Sequence, residues 1–211
     1  MKINDLTLPR NLLHEQTVCW PDHGITVMLG QNGVGKSTLL AELARRLPEA
    51  AYLPQKNDIY DDISVQAVLA LGQQRATQPT RLDVVAAFDL APLLKTAMRT
   101  LSGGQQQRVW LAFVLVQQAP ILLLDEPLAA LDLRYQKRLT QLLVTAQTSV
   151  ITIVHDLNYA QRVADWVWMM HEQTVIAGTP TEMLNDALLS AVFQTTIQHQ
   201  VTVDGQRYFD N

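Results

Sequence analysis

Disulfide pairs, membrane-length apolar runs and basic stretches are all missing from this sequence. A single cysteine, Cys19, stands among 211 residues, so no internal disulfide framework can form, and the count fits a reducing compartment. Its expected role is that of a small buried hydrophobe. No apolar window is long enough to span a membrane, although 48% of the residues are apolar and can fill a substantial core. Met1-Lys2-Ile3-Asn4-Asp5 does not have the charged-then-apolar layout of a signal peptide. With a net charge of −4 and no basic run, nucleic acid is not expected as a ligand. There is no internal repeat and no low-complexity segment. These absences predict a cytosolic, soluble chain built as one large α/β domain, or as one domain carrying a small insert.

What is present is concentrated first in residues 30–38, Gly-Gln-Asn-Gly-Val-Gly-Lys-Ser-Thr. The apolar run Ile25–Leu29 leads in as a buried strand, and Ser37–Arg46 leads out with helical spacing. In that context the pattern G-x-x-x-x-G-K-[ST] is a phosphate cradle, or P-loop. Gly30, Gly33 and Gly35 let the backbone turn its N–H groups toward phosphate oxygens, with Gln31, Asn32 and Val34 between them. The helix N-terminus adds partial positive charge at the same place, beside Thr38. Lys36 is placed to reach the β- and γ-phosphates, and the Ser37 hydroxyl to ligate Mg²⁺. This is the signature of a nucleoside-triphosphate site.

Around it, residues 2–29 read as short strands broken at Pro9 and at Pro21-Asp22-His23-Gly24, an antiparallel β layer feeding the P-loop strand. A short strand at Ala51–Leu53 runs on to Gln55. Between residues 58 and 100 the pattern changes, with helices expected at 63–74 and 81–98 and no strand, which predicts a small helical insert. Alternation resumes with a helix at 105–118, a strand at 121–124, a helix at 134–147, a strand at 150–154 and a helix at 158–164. A hairpin at 167–177, a helix over 181–194 and a last hairpin across Asp204-Gly205 complete the chain. Trp110, Trp166 and Trp168 are read as core or hairpin packing. The expected body, 1–57 with 101–211, is thus an α/β P-loop core with a mostly parallel sheet.

Ile121–Leu124 is a continuous apolar run of the kind a central parallel strand needs, and it ends in Asp125-Glu126. Ligand sites in such sheets lie at the carboxyl ends of the strands. Asp125 can hold a Mg²⁺ shell, and Glu126 is placed to orient or deprotonate an attacking water. Leu101-Ser102-Gly103-Gly104-Gln105 opens a long helix with a serine and two glycines, a second arrangement suited to an anion. Ser102 by itself is also a sound helix N-cap.

With the P-loop, the Asp-Glu pair and LSGGQ in this order, the chain resembles the ATP-binding-cassette (ABC) ATPases, and LSGGQ looks like their signature motif. The resemblance covers nearly the whole chain. It implies that two copies pack head to tail, each ATP lying between the P-loop of one and Ser102, Gly103, Gly104 and Gln105 of the other. Gln55 then matches the Q-loop glutamine, which contacts Mg²⁺ and the attacking water and reports to the membrane partner. Ala130-Leu131-Asp132 resembles the D-loop that crosses the dimer interface. His155 matches the switch histidine at the γ-phosphate; taken without the family, a histidine at a strand end is as readily a packing or surface residue. Implied partners are transmembrane permease subunits, docking near Gln55 and residues 56–75, and a substrate-binding protein, with the chain peripheral at the cytoplasmic face of the inner membrane.

Three features depart from the family's pattern. No aromatic residue stands in Leu6-Thr7-Leu8-Pro9, where the family usually stacks adenine, so stacking is weakened or replaced by aliphatic contact. Phe113 occupies a helix position where arginine is usual. The chain and its insert are short for a metal-chelate importer. Asp132–Gln136, Val154–Asn158 and Ala177–Leu184 nonetheless resemble the ATPases of iron-siderophore, haem and cobalamin importers. An exporter ATPase of the haem-exporter type, or a soluble cassette ATPase without a transport role, are the alternatives.

Overall fold

The computed structural model describes residues 1–8, 12–57, 62–76, 83–201 and 207–210. β1 (Lys2–Leu8) and β2 (Leu13–Cys19) pair antiparallel as a layer of their own. The main sheet has six strands in the order β4 (Ala50–Leu53), β5 (Ile121–Asp125), β6 (Ser149–Ile153), β3 (Gly24–Leu29), β7 (Trp166–His171) and β8 (Thr174–Gly178). All are parallel except β8, which returns antiparallel to β7 through Glu172 and Gln173 at φ 42° and 66°. Paired positive φ values are what a tight hairpin needs to match the strand twist.

Alternation along each strand sends its side chains into two cores. Val27, Leu122, Leu124, Val150 and Met169 face one side, covered by α4 (Gly103–Leu115), α5 (Leu133–Thr145) and α6 (Leu157–Val163). Met28, Leu123, Ile151, Ile153 and Trp168 face the other, covered by α1 (Lys36–Arg46) and the β1–β2 layer. Trp168 is fully buried there, edge-on to Trp20 with ring centroids 5.8 Å apart, while Trp110 and Trp166 pack half-buried at the margins. Every residue of β5 is buried, as its unbroken apolar run requires.

Between β4 and α4 the described residues form α2 (Val65–Gln74), α3 (Val84–Ala87) and 3-10 turns at Ala91–Leu93 and Met98–Thr100, with an isolated antiparallel bridge between Ser64 and Ala97 and no strand. Their apolar residues Val65, Val68, Phe88, Leu90 and Met98 belong to the same core cluster as the sheet. Gly72 lets α2 lie against α4, since a Cβ there would stand 2.8 Å from the Phe113 carbonyl oxygen.

The structure corrects three expectations. The spacing at 81–98 predicts one helix, but of the described residues only Val84–Ala87 is α-helical. Asp89 turns left-handed at φ 50°, and Pro92 lacks the N–H and disfavours helix at the residue before it. The stretch 181–194 divides into α7 (Pro180–Met183) and α8 (Asp186–Phe193). Asn185 caps α8 by accepting from the Leu188 N–H at 2.9 Å and donates to the Glu182 carbonyl at 2.8 Å, which ends one helix and starts the next. Cys19 is exposed, because Val18 and Trp20 take the inward positions on either side of it. The other elements form where the spacing places them, within a few residues at each end. The last hairpin pairs β9 (His199–Val201) with β10 (Arg207–Phe209); its turn at Asp204-Gly205 lies outside the described residues. Among the described residues no helix is long and apolar enough to cross a membrane.

Candidate functional site

Four neighbouring parallel strands deliver residues to one end of the sheet. The P-loop leaves β3, Gln55 follows β4, Asp125 closes β5 with Glu126 next, and His155 follows β6. Gly30, at φ 143°, passes so near β7 that a Cβ would stand 2.4 Å from the Met170 carbonyl oxygen, so only glycine lets the loop take this path. Gly35, the N-cap of α1, has φ 110° and no side chain to compete for the N–H groups of the first turn. Those N–H groups and the helix dipole suit an anion.

Lys36 is 6% exposed, and its Nζ donates to the Gly30 and Gln31 carbonyls at 2.7 and 2.8 Å. An ammonium has three donors, so one remains for a phosphate oxygen. Burial lowers the Lys36 pKa, while the charges of Glu126 and Asp125 act against that shift.

Asp125 is 2% exposed, and its Oδ1 has no hydrogen-bond partner. Burial raises its pKa, opposed chiefly by a hydrogen bond from Ser37. A buried carboxylate oxygen left without a donor, beside a serine hydroxyl, fits a hard cation such as Mg²⁺. No group of three or more His, Cys, Asp or Glu able to hold a metal occurs among the described residues. A cation here would therefore complete its shell from phosphates and water.

Glu126 stands at φ 48°, in the left-handed region, where a non-glycine residue is strained by about 1–3 kcal/mol. Its Oε1 is shared: Gln55 Nε2 donates to it at 2.9 Å, and His155 Nε2 lies 2.9 Å away. Partial burial acts to raise the Glu126 pKa, but the hydrogen bonds from His155 and Gln55 outweigh it and hold the carboxyl below its ordinary value. An ionised carboxylate only accepts, so the His155 imidazole carries a proton on Nε2 and donates it.

Ser102 caps α4 by a reciprocal pair with Gln105: Ser102 Oγ accepts from the Gln105 N–H, and Gln105 Oε1 from the Ser102 N–H. Gly103 faces open space, whereas a Cβ on Gly104 would come 3.0 Å from the Ala130 carbonyl. Asp132 caps α5, its Oδ1 accepting from the Arg134 and Tyr135 N–H groups. Residues 102–105 and the stretch 130–132 thus adjoin, and among the described residues no hydrogen bond joins 102–105 to 30–38.

Three glutamines to which the sequence assigned no role brace these loops. Gln106 donates to the Met98 and Leu101 carbonyls, Gln107 to Pro127 and Gln136 to Leu128 and Leu131. Side-chain amides aimed at loop carbonyls leave no periodic trace that sequence reading could find. Phe113, the departure on α4, packs edge-on to Trp110 at 5.7 Å with the Arg75 guanidinium over its ring.

Leu6 and Leu8 are 0% and 2% exposed and spent in the core, so they give adenine no aliphatic contact. Pro9 lies outside the described residues. Competition binding should therefore find ATP and GTP affinities within about tenfold, or ~1.4 kcal/mol, of each other. A wider preference for ATP would show that another base-reading contact exists.

Comparison with known proteins identifies the family and the fold. The family model described as ABC transporter matches residues 43–129. The achromobactin transport ATP-binding protein CbrD of Dickeya dadantii is 34% identical over 82% of this chain and 78% of its own length. The hemin import ATP-binding protein HmuV of Shewanella denitrificans is 35% identical over 85% of this chain and 86% of its own. In fold, a metal-chelate type ABC transporter solved in an inward-facing conformation superposes with a TM-score of 0.77 at 22% identity, over 94% of this chain and 90% of that one. The chain therefore belongs to the ABC transporter ATP-binding proteins, ATPases whose hydrolysis is coupled to transport.

Proposed function

We propose that this chain powers an importer of an iron-siderophore, haem or cobalamin-type compound, working as a head-to-tail dimer that encloses two ATP molecules. The observation that carries the hydrolytic mechanism is the sharing of one Glu126 oxygen by Gln55 and His155 beside the P-loop. The import reading is supported by relatives named for hemin import and achromobactin transport.

The N–H groups of residues 30–35, with Lys36, Ser37 and Thr38, bind the phosphates of ATP. Glu126 orients a water and accepts its proton as the water oxygen bonds to the γ-phosphorus. The bond to the β–γ bridging oxygen breaks, and ADP and phosphate leave. His155 and Gln55 hold the Glu126 carboxylate in place, and Lys36 offsets charge on the phosphates. Mg²⁺, held by Ser37, Asp125 and Gln55, supplies further neutralisation when bound. Ser102, Gly103, Gly104 and Gln105 of the other copy close over the γ-phosphate, with Asp132 at the interface. Since ATP bridges the copies, binding favours the closed dimer and hydrolysis releases it, a two-state element able to work a permease gate. The permease docks near Gln55 and residues 56–75, at the cytoplasmic face of the inner membrane.

Isolation of the chain from its native membranes in mild detergent, followed by mass spectrometry, tests the transport reading. A polytopic permease accompanied by a binding protein is the expected result. A permease without a binding protein would favour export, and soluble partners alone would remove the transport role.

A further inference from the structure

The end of α3 is fastened to the two helices that begin at the signature stretch and the D-loop. Helix α3 stops at Ala87, and the backbone of 88–90 satisfies the Val84, Val85 and Ala86 carbonyls but leaves those of Ala87 and Phe88 to other donors. Arg108 of α4 donates to the Phe88 carbonyl at 2.6 Å, and Arg138 of α5 to the Ala87 carbonyl at 2.8 Å. Asp89 then adopts φ 50°, a strained backbone for aspartate. This turn brings its carboxylate to α5, where Oδ2 accepts from the Tyr135 hydroxyl and pairs with Arg134, both at 2.9 Å, and Oδ1 lies 3.5 Å from Arg138. Arg108 closes the circuit by donating to the Tyr135 hydroxyl at 2.8 Å with its guanidinium 4.3 Å above the ring.

Helix α4 follows its N-cap Ser102 and α5 its N-cap Asp132; Arg134 and Tyr135 lie in the first turn of α5, and Arg108 and Arg138 in the second turns of α4 and α5. A displacement of the 83–90 segment is therefore passed to the N-terminal halves of both helices, and the loop before α5 packs so near α4 that a Cβ on Gly104 would stand 3.0 Å from the Ala130 carbonyl oxygen. We infer that Asp89 is a positioning residue for the ATPase reaction, a latch that sets the LSGGQ helix and the D-loop helix in the register needed to close on the nucleotide of a second copy. The inference rests on the head-to-tail dimer reading. Simple fold stabilisation would need no strained residue carrying a carboxylate to three separate donors. It would be met by the apolar contacts of Val84, Phe88 and Leu90, all buried in the core.

The test compares Asp89→Ala, Asp89→Asn and Tyr135→Phe in the purified chain, well below the melting temperature of each variant. Asp89→Ala should lower kcat about tenfold or more while ATP affinity of the monomer, which depends on the P-loop alone, stays within about twofold. Asp89→Asn, which keeps the hydrogen bond from Tyr135, should recover part of the loss. Asp89→Asn and Tyr135→Phe should be non-additive, as groups sharing one network are. In a Glu126→Gln background, Asp89→Ala should weaken ATP-driven dimer formation measured by light scattering. If Glu126→Gln alone dimerises with ATP and Asp89→Ala changes neither dimerisation nor kcat, the latch is wrong and the dimer reading stands. If Glu126→Gln alone stays monomeric at saturating ATP, the dimer reading and the latch fall together.

Discussion

Glu126→Gln should bind ATP as the unsubstituted chain does and hydrolyse it about 100- to 10,000-fold more slowly, the span that general-base groups contribute. The amide keeps the shape of the carboxylate and can still meet Gln55 or His155 through its oxygen. It has lost the charge that accepts a proton from water. Since His155 and Gln55 hold the carboxyl below its ordinary pKa, the native residue is ionised at neutral pH, and the substitution removes a full charge. Binding is spared because the phosphate cradle is built from residues 30–38. With hydrolysis blocked, the ATP-bound dimer should accumulate and be seen by light scattering with ATP and not with ADP. Turnover within a few-fold of the native chain would show that another group activates the water.

Ser102→Arg should leave ATP binding by the monomer unchanged and abolish the ATP-dependent dimer. Ser102 is exposed, and beside it the Cβ direction of Gly103 opens onto empty space, so a long side chain can occupy the surface that a second copy must approach. The substitution also removes the N-cap of α4, at a cost of about 0.5–2 kcal/mol, and a fraying helix could mimic the effect. Ser102→Asp separates the two causes, because aspartate caps as well as serine but brings a negative charge toward the γ-phosphate. Both variants should fail to dimerise with ATP while melting differently. A dimer of normal affinity in Ser102→Asp would remove the serine from the nucleotide interface.

Most of the fold was legible because its strongest signals are local. The glycines of residues 30–35 mark a loop between a buried strand and a helix whatever surrounds them, and the short unbroken apolar run of β5 is what a central parallel strand needs. The reading failed where an isolated side chain overrode a periodic pattern. Asn185 has the same spacing in an amphipathic stretch as any polar residue, yet its amide caps α8 and ends α7. Asp89 turns out of the helical path because donors on α5, distant in sequence, hold its carboxylate, while Arg108 of α4 takes the preceding Phe88 carbonyl. Cys19 lies outward because Val18 and Trp20 on either side face the core, while irregular register on β1 near Leu6 hides that phase from a pattern of two.

The sequence by itself determined that the chain binds a nucleoside triphosphate on a parallel α/β sheet, since the cradle, the Asp125-Glu126 pair and the LSGGQ stretch are contiguous runs whose chemistry and local geometry travel together. Only the tertiary structure decided which side chains meet. Gln55, Glu126 and His155 share one oxygen because β4, β5 and β6 are neighbours in the sheet, and Asp125 keeps an unpartnered oxygen because the strand carries it into the interior. Contacts of this kind span 71 residues for Gln55–Glu126 and 46 for Asp89–Tyr135. No local pattern encodes them, since strand order and helix packing must first bring the partners together.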